Sequence, residues 1–244
     1  MTGKEATSLV IMAAGHGTRS GLASHQHKML QQIGGRTILG SIVEAARESA
    51  TVGEIILDMN SNSPEAAKEA AKILGAAGQL HFSEPRGYMA DFIQWGQKLD
   101  GEAFIVDADV YTSVEQMKHF FGYPYSRIPG APALAHTPVN ESNREDSRSA
   151  WVRVNPGGTL LNHARGEAHR TDHCTIGLWK TSPSFIEFLS TSHAKGLTSI
   201  TAAVDKYLDE GQQILSPLVD GAVNVNAPMD LDVACALSFE SLAS

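Results

Sequence analysis

The chain has 244 residues, enough for one large domain or two small ones, and an apolar share of 42% can build a core, so disorder is not the default reading. Nineteen Lys and Arg against 27 Asp and Glu give a net charge of -8, whose field repels polyanions; nucleic acid is not an expected partner, and any phosphate site must be local. No apolar run approaches the roughly 18 residues of a membrane span. Cys174 and Cys235 lack C-x-x-C spacing and support neither a disulfide framework nor a zinc site, which favours a soluble chain in a reducing, cytoplasmic setting with no membrane partner.

A short continuous apolar run at 8–13, ending in a glycine-rich turn, predicts a buried strand. Between 36 and 48, Ile38, Leu39, Ile42, Val43 and Ala46 recur at helical spacing. The alternation continues with a strand at 54–58, a helix at 64–77, a strand at 79–82, a helix at 88–99 and a strand at 103–107. Repeated β-α-β units imply right-handed crossovers, a mostly parallel sheet and a ligand crevice beyond the carboxyl ends of its strands. Past Tyr111 the order loosens: a helix at 114–121, a Pro- and Gly-containing loop, an apolar run at 131–136 and an exposed polar loop at 140–149. Strands at 151–155, 158–162 and 174–179 are followed by helices at 183–192 and 199–210 and by a last helix near Pro228. No repeat or linker interrupts the chain, so a single domain over 1–244 is expected.

Two stretches carry chemistry. After the first strand comes AAGHGTR at 13–19, then a polar segment, then Lys28-Met29-Leu30. Gly15 and Gly17 let the backbone turn tightly and direct N–H groups at an anion, with Arg19 and Lys28 adding cations from either side. A dinucleotide-binding G-x-G-x-x-G loop is the competitor, but Ser20 stands at the third glycine position and 31–36 hold no acidic residue for a ribose. The plain alternative is a tight turn with two ordinary surface cations. The second stretch, FIVDADV at 104–110, ends a predicted strand with Asp107 and Asp109 on one side, because side chains two apart share a face. Mg2+ takes one or two such carboxylates and completes its shell with water and phosphate oxygens. Alternatively, Asp109 or Thr112 caps the following helix.

Taken in order, AAGHGTR (13–19), HKML (27–30) and IGGRTIL (33–39) resemble the opening of the nucleotidyltransferases that activate sugar phosphates, alcohol phosphates and cofactors. That opening runs A-A/G-G-x-G-T-R, K-P-x-L, G-G-x-P-L; His27 and Met29 depart from the prolines that often flank the lysine. The resemblance implies a Rossmann-like α/β three-layer sandwich with a mixed, mostly parallel sheet of the nucleotide-diphospho-sugar transferase type. It implies a nucleotide-binding half over about 1–112 and an acceptor-binding half over about 113–244, residue bounds taken from the motifs. It further implies a nucleotide held by Ala13, Ala14, Gly15, Gly17 and Thr18, Arg19 on the β- and γ-phosphates, and Lys28 neutralising charge at the reacting phosphates. EPRGYMA at 84–90 resembles E/Q-x-x-G-T-A, the loop that receives the base around Gly87.

FIVDADV then maps Asp109 onto a Mg2+-binding aspartate, and GAVNVNAPMDL at 221–231 supplies Asn224 or Asn226 as its companion, although Asn226 is equally suited to cap the helix at Pro228. Thr175-Ile176-Gly177-Leu178-Trp179 resembles the N-x-G-I-Y strand that faces the acceptor. Trp151, Arg153, Arg165 and Arg170 are candidates for a phosphate clamp, or solvated surface residues. The implied partners are a nucleoside triphosphate and a small phosphorylated acceptor, with homo-oligomerisation left open. Two rivals remain: a D-x-D glycosyltransferase that consumes nucleotide sugars, and a nucleotide-sensing domain without turnover on the same fold.

Overall fold

The structure, a computed structural model, describes residues 6–14, 27–60, 64–140, 150–165 and 171–243. The opening apolar run forms β1 (Thr7–Ala13), with Leu9, Val10 and Ile11 fully buried. A two-residue hairpin of β2 (Gln32–Ile33) and β3 (Arg36–Thr37) follows; Gly34 and Gly35 both take positive φ, 58° and 83°, as the tightest hairpin turns require. Next come α1 (Ile38–Glu48), β4 (Val52–Met59), α2 (Pro64–Leu74), β5 (Gly78–Phe82), α3 (Tyr88–Lys98), β6 (Phe104–Asp107), β7 (Val110–Tyr111) and α4 (Val114–Gly122). The second half contributes β8 (Ala133–Pro138), β9 (Trp151–Val154), β10 (Leu160–Ala164), β11 (His173–Lys180), α5 (Pro183–Ala194), α6 (Ile200–Asp209), β12 (Val223–Asn224) and α7 (Pro228–Ala243). Of the expected polar loop, 141–149 lie outside the described residues.

The large sheet runs β10-β9-β11-β6-β1-β4-β5, with β8 on β11. Its β6-β1-β4-β5 part is parallel, and β11 joins β6 antiparallel, giving the expected mixed sheet. Side chains alternate across it. Leu9 and Ile11 enter one core with Ile38, Ile42, Phe104 and Phe120, while Val10 enters a second with Phe92, Trp95, Trp179 and Phe185. Helices thus cover both faces, and the three-layer sandwich follows from a central strand apolar at every residue from Leu9 to Ala13. Among the described residues, no helix is long and apolar enough to cross a membrane.

One buried carboxylate ties the layers together. Asp58 of β4 is 1% exposed, and its oxygens accept from Trp95 Nε1 (2.8 Å), Ser83 Oγ (2.8 Å) and His81 Nδ1 (3.0 Å). Trp95→Phe trims the buried indole and strips Oδ2 of its donor, so it is expected to lower unfolding free energy by about 2 kcal/mol or more, readable as a shifted urea midpoint at unchanged slope. An unshifted midpoint would remove Asp58 from this role.

The outer strands close on themselves. Residue 160 at the start of β10 donates to Ile214 O, Leu134 of β8 donates to Leu215 O, and β8 pairs with β11, which meets β9 at Cys174 and Trp151. Since β9 pairs with β10, the hydrogen-bonded circuit is complete. Within it, His136 is 7% exposed with Nδ1 2.9 Å from Ser216 Oγ. The single hydroxyl proton of Ser216 goes to Leu134 O at 2.8 Å, so His136 Nδ1 donates and its Nε2 is left as an acceptor. Burial first, and the His173 ring 5.2 Å away second, push the His136 pKa down from 6.5 to about 4.

The unfolded chain therefore takes this proton near pH 6.5 and the folded chain only near pH 4, so stability is full above that window and falls as pH drops through it. The loss attributable to His136 is about 3 kcal/mol at most. Denaturant midpoints measured between neutral and mildly acid pH are expected to fall more steeply for the wild type than for His136→Asn; parallel profiles would exclude His136 as the titrating group.

Candidate active site

The carboxyl ends of β1 and β6 lie side by side, locked by the Ala108 N–H donating to Met12 O at 3.1 Å. Ala13 closes β1 beside Met59, and Ala14 beyond it is buried. Gly15, Gly17, Thr18 and Arg19 lie outside the described residues. Lys28 opens a single 3-10 turn, Lys28–Leu30, pinned by the buried Met29 and by the Gln31 N–H on Lys28 O.

β6 ends at Asp107, so Asp109 stands in the turn before β7. β7 pairs with β12, Val110 opposite Asn224, and the Val225 N–H donates to Asp109 O at 2.8 Å. This ladder draws the late 221–231 segment back against the D-x-D turn. Lys28 Nζ is 3.1 Å from Asp109 Oδ2 and 3.1 Å from Asn226 Oδ1, so three sequence-distant stretches converge on one ammonium.

The capping alternatives fall away. Ser113, rather than Asp109 or Thr112, caps α4 by accepting from Gln116 N. The Asn226 side chain turns to Lys28, while the Asn226 and Ala227 N–H groups both donate to Asp230 Oδ2 at 2.7 Å. Asp230, an acidic residue in the first turn of a helix with Pro at its start, thus fixes the loop that presents Asn226. Sequence reading assigned it no role, although an acid at that position was the available signal. Asn224 holds the pair by its backbone: its carbonyl accepts from Asn226 Nδ2 at 3.3 Å.

Asp107 has different surroundings. Its Oδ1 is shielded and has no hydrogen-bond partner among the described residues. Burial first and the Asp109 charge second push its pKa up to about 8, against the pull of the Tyr88 hydroxyl and the Lys28 charge. The Tyr88 hydroxyl is itself pushed well above its ordinary value, by burial and then by the Asp107 charge. Asp107 sits over Gly177 of β11, where any Cβ would overlap its carboxylate, so glycine is what lets this carboxylate fit. Gly87, at φ 106° and ψ 144°, turns the chain into α3, which begins at Tyr88; that backbone conformation is one only glycine adopts readily.

The Asp109 carboxylate and the Asn226 amide oxygen, with the neighbouring Asp107 carboxylate whose Oδ1 has no partner among the described residues, are hard oxygen donors of the kind Mg2+ takes. Among the described residues no three His, Cys, Asp or Glu side chains gather as a metal cluster. Arg153 and Arg165 are exposed and are not brought to Lys28, and Arg170 lies outside the described residues.

No family model matches the sequence, and no curated protein resembles it closely enough to count as a match. Solved structures do match over almost the whole chain. The inositol-1-phosphate CTP transferase from T. maritima superposes with a TM-score of 0.72 at 12% identity, over 96% of this chain and 97% of that one. A UDP-glucose pyrophosphorylase from Acinetobacter baumanii gives 0.72 at 14% identity over 98% of each chain. CMP:2-keto-3-deoxy-manno-octonic acid synthetase, complexed with CTP, gives 0.67 at 13% identity over 97% of this chain and all of the other. At these identities the likeness is one of architecture: the chain adopts the three-layer fold seen in those nucleotidyl-transferring enzymes.

Proposed function

We propose that the chain is a Mg2+-dependent nucleotidyltransferase that joins a nucleoside triphosphate to a sugar phosphate or another small phosphorylated acceptor and releases pyrophosphate. The observation that carries this reading is the convergence of Lys28, Asp109 and Asn226 at the carboxyl ends of β1 and β6. Crevices of this kind, at the carboxyl ends of the strands, are where open α/β sheets bind ligands. In this reading Asp109 and Asn226 hold the metal, whose role when bound is to neutralise the triphosphate. Ala13, Ala14, Gly15, Gly17 and Thr18 cradle the phosphates, Arg19 holds the β- and γ-groups, and Gly87 shapes the base loop.

An acceptor phosphate oxygen forms a bond to the α-phosphorus as the α–β bridging bond breaks, and the electron pair leaves with pyrophosphate. The attacking oxygen is already ionised at neutral pH, so no protein group has to remove a proton. The residues act by positioning and by charge: Lys28 is the cation within reach of both sides of the crevice.

The test is pyrophosphate release with CTP, UTP, GTP and ATP, each against sugar 1-phosphates, polyol phosphates, choline phosphate and phosphonates, with and without Mg2+. One productive pair that needs the metal supports the reading. Release of nucleoside diphosphate from a nucleotide sugar would make the chain a glycosyltransferase, and triphosphate binding without turnover would make it a sensor.

A further inference from the structure

A second concavity of about 900 Å3 opens beside the closed circuit of outer strands, within the size range of small-molecule sites. Arg127, Arg153, His119, His136 and His173 line it, with Asp172 as the acidic residue among them. Lys28, Asp107, Asp109, Asn224 and Asn226 are not part of its wall. Among the described residues that line it, two guanidinium groups stand with one carboxylate, a local reversal of sign in a protein of net charge -8.

Neither arginine forms an ion pair with a described residue, and the Arg127 guanidinium lies 5.7 Å from the centre of the Tyr123 ring, which restricts where it points. Both keep their paired N–H donors for an external anion. The wall also holds a fixed acceptor. His136 Nδ1–H is committed to Ser216, and no described residue bonds Nε2, so this buried ring presents a lone pair. Burial holds the ring neutral at pH 7. An anion with no proton to give, such as sulfate, would satisfy the arginines but leave that acceptor without a donor; a ligand with hydroxyl groups beside its anion satisfies both.

We propose that this concavity binds a small hydroxylated phosphate monoester, such as a sugar or polyol phosphate, with the phosphate on Arg127 and Arg153 and a hydroxyl donated to His136 Nε2. The site is additional to the transfer site, and its ligand need not be the acceptor consumed there. It stands or falls independently of the proposed reaction.

Calorimetric titration with glucose 6-phosphate and glycerol 3-phosphate, against sulfate and free glucose as controls, tests it on three proteins: wild type, Arg127→Gln/Arg153→Gln and Lys28→Met. At least one phosphate ester is expected to bind wild type and Lys28→Met alike, and the double arginine variant about tenfold or more weakly. The bound ester is expected to shift the 15N resonance of the His136 ring, and neither control is expected to match its affinity. Nucleotidyl transfer by the double arginine variant, in the absence of added ester, is expected to be unchanged. Three results would each overturn the proposal: no saturable binding of either ester in the millimolar range, binding that survives in the arginine variant but vanishes with Lys28→Met, or equal affinity for sulfate.

Discussion

Asp109→Ala is expected to slow Mg2+-dependent pyrophosphate release on the order of 10²–10³-fold, the usual loss on removing one oriented electrostatic group. The effect should be chemical, because the backbone that positions Asp109 does not depend on its side chain. β6 remains locked to β1 through Ala108, β7 remains paired with β12, and the Val225 N–H still donates to the residue-109 carbonyl. The Asp109 side chain is 29% exposed, so its removal opens no core cavity. Melting temperature should therefore stay near that of the wild type while the rate collapses. Asp109→Asn sharpens the reading: an amide oxygen still accepts from Lys28 but carries no charge, so this variant is expected to fall with the alanine variant. Full metal-dependent release by either variant would remove Asp109 from the metal site.

The parts of this arrangement that were legible in the sequence are those that short-range physics dictates. The run at 8–13 had to be a central strand because it is apolar at every residue from Leu9 to Ala13, and it proved to feed both cores. The boundary at 36 moved to Ile38 because Arg36 and Thr37 belong to a hairpin set by Gly34-Gly35, and Thr37 Oγ1 then caps α1 from Gly40 N. Helix 64–77 stopped at Leu74 because Gly75 takes φ 51°.

The illegible parts depend on long-range pairing. The closed circuit of outer strands needs residues 214–218, a proline-containing stretch joined by isolated bridges with no periodicity to read. That Asn226 turns its side chain to Lys28 depends on two-residue strands, β7 and β12, that no window can detect. The environment of Asp107 was hidden too. Its neighbour across the sheet is a glycine, and a lone glycine inside a strand pattern signals close approach without naming what approaches.

Lys28→Met is expected to move two measurements in opposite directions. Turnover should fall on the order of 10²–10³-fold, since the cation proposed to offset charge on the reacting phosphates is gone. Nucleotide-free affinity for Mn2+, read from water-proton relaxation, should instead rise several-fold. Lys28 Nζ lies 3.1 Å from both Asp109 Oδ2 and Asn226 Oδ1, which are the oxygens proposed to hold the metal. A divalent cation entering there must first displace the ammonium, whose attraction to Asp109 is strengthened by a side chain only 17% exposed. Methionine keeps the length and apolar stem of lysine and removes that competitor, so the two oxygens are left to the metal. In the wild type the displaced ammonium would then swing from the carboxylate to the incoming phosphates, coupling metal entry to nucleotide capture through one flexible side chain. A Lys28→Met protein that binds Mn2+ more weakly than the wild type would mean that Lys28 helps to build the metal site instead of competing for it.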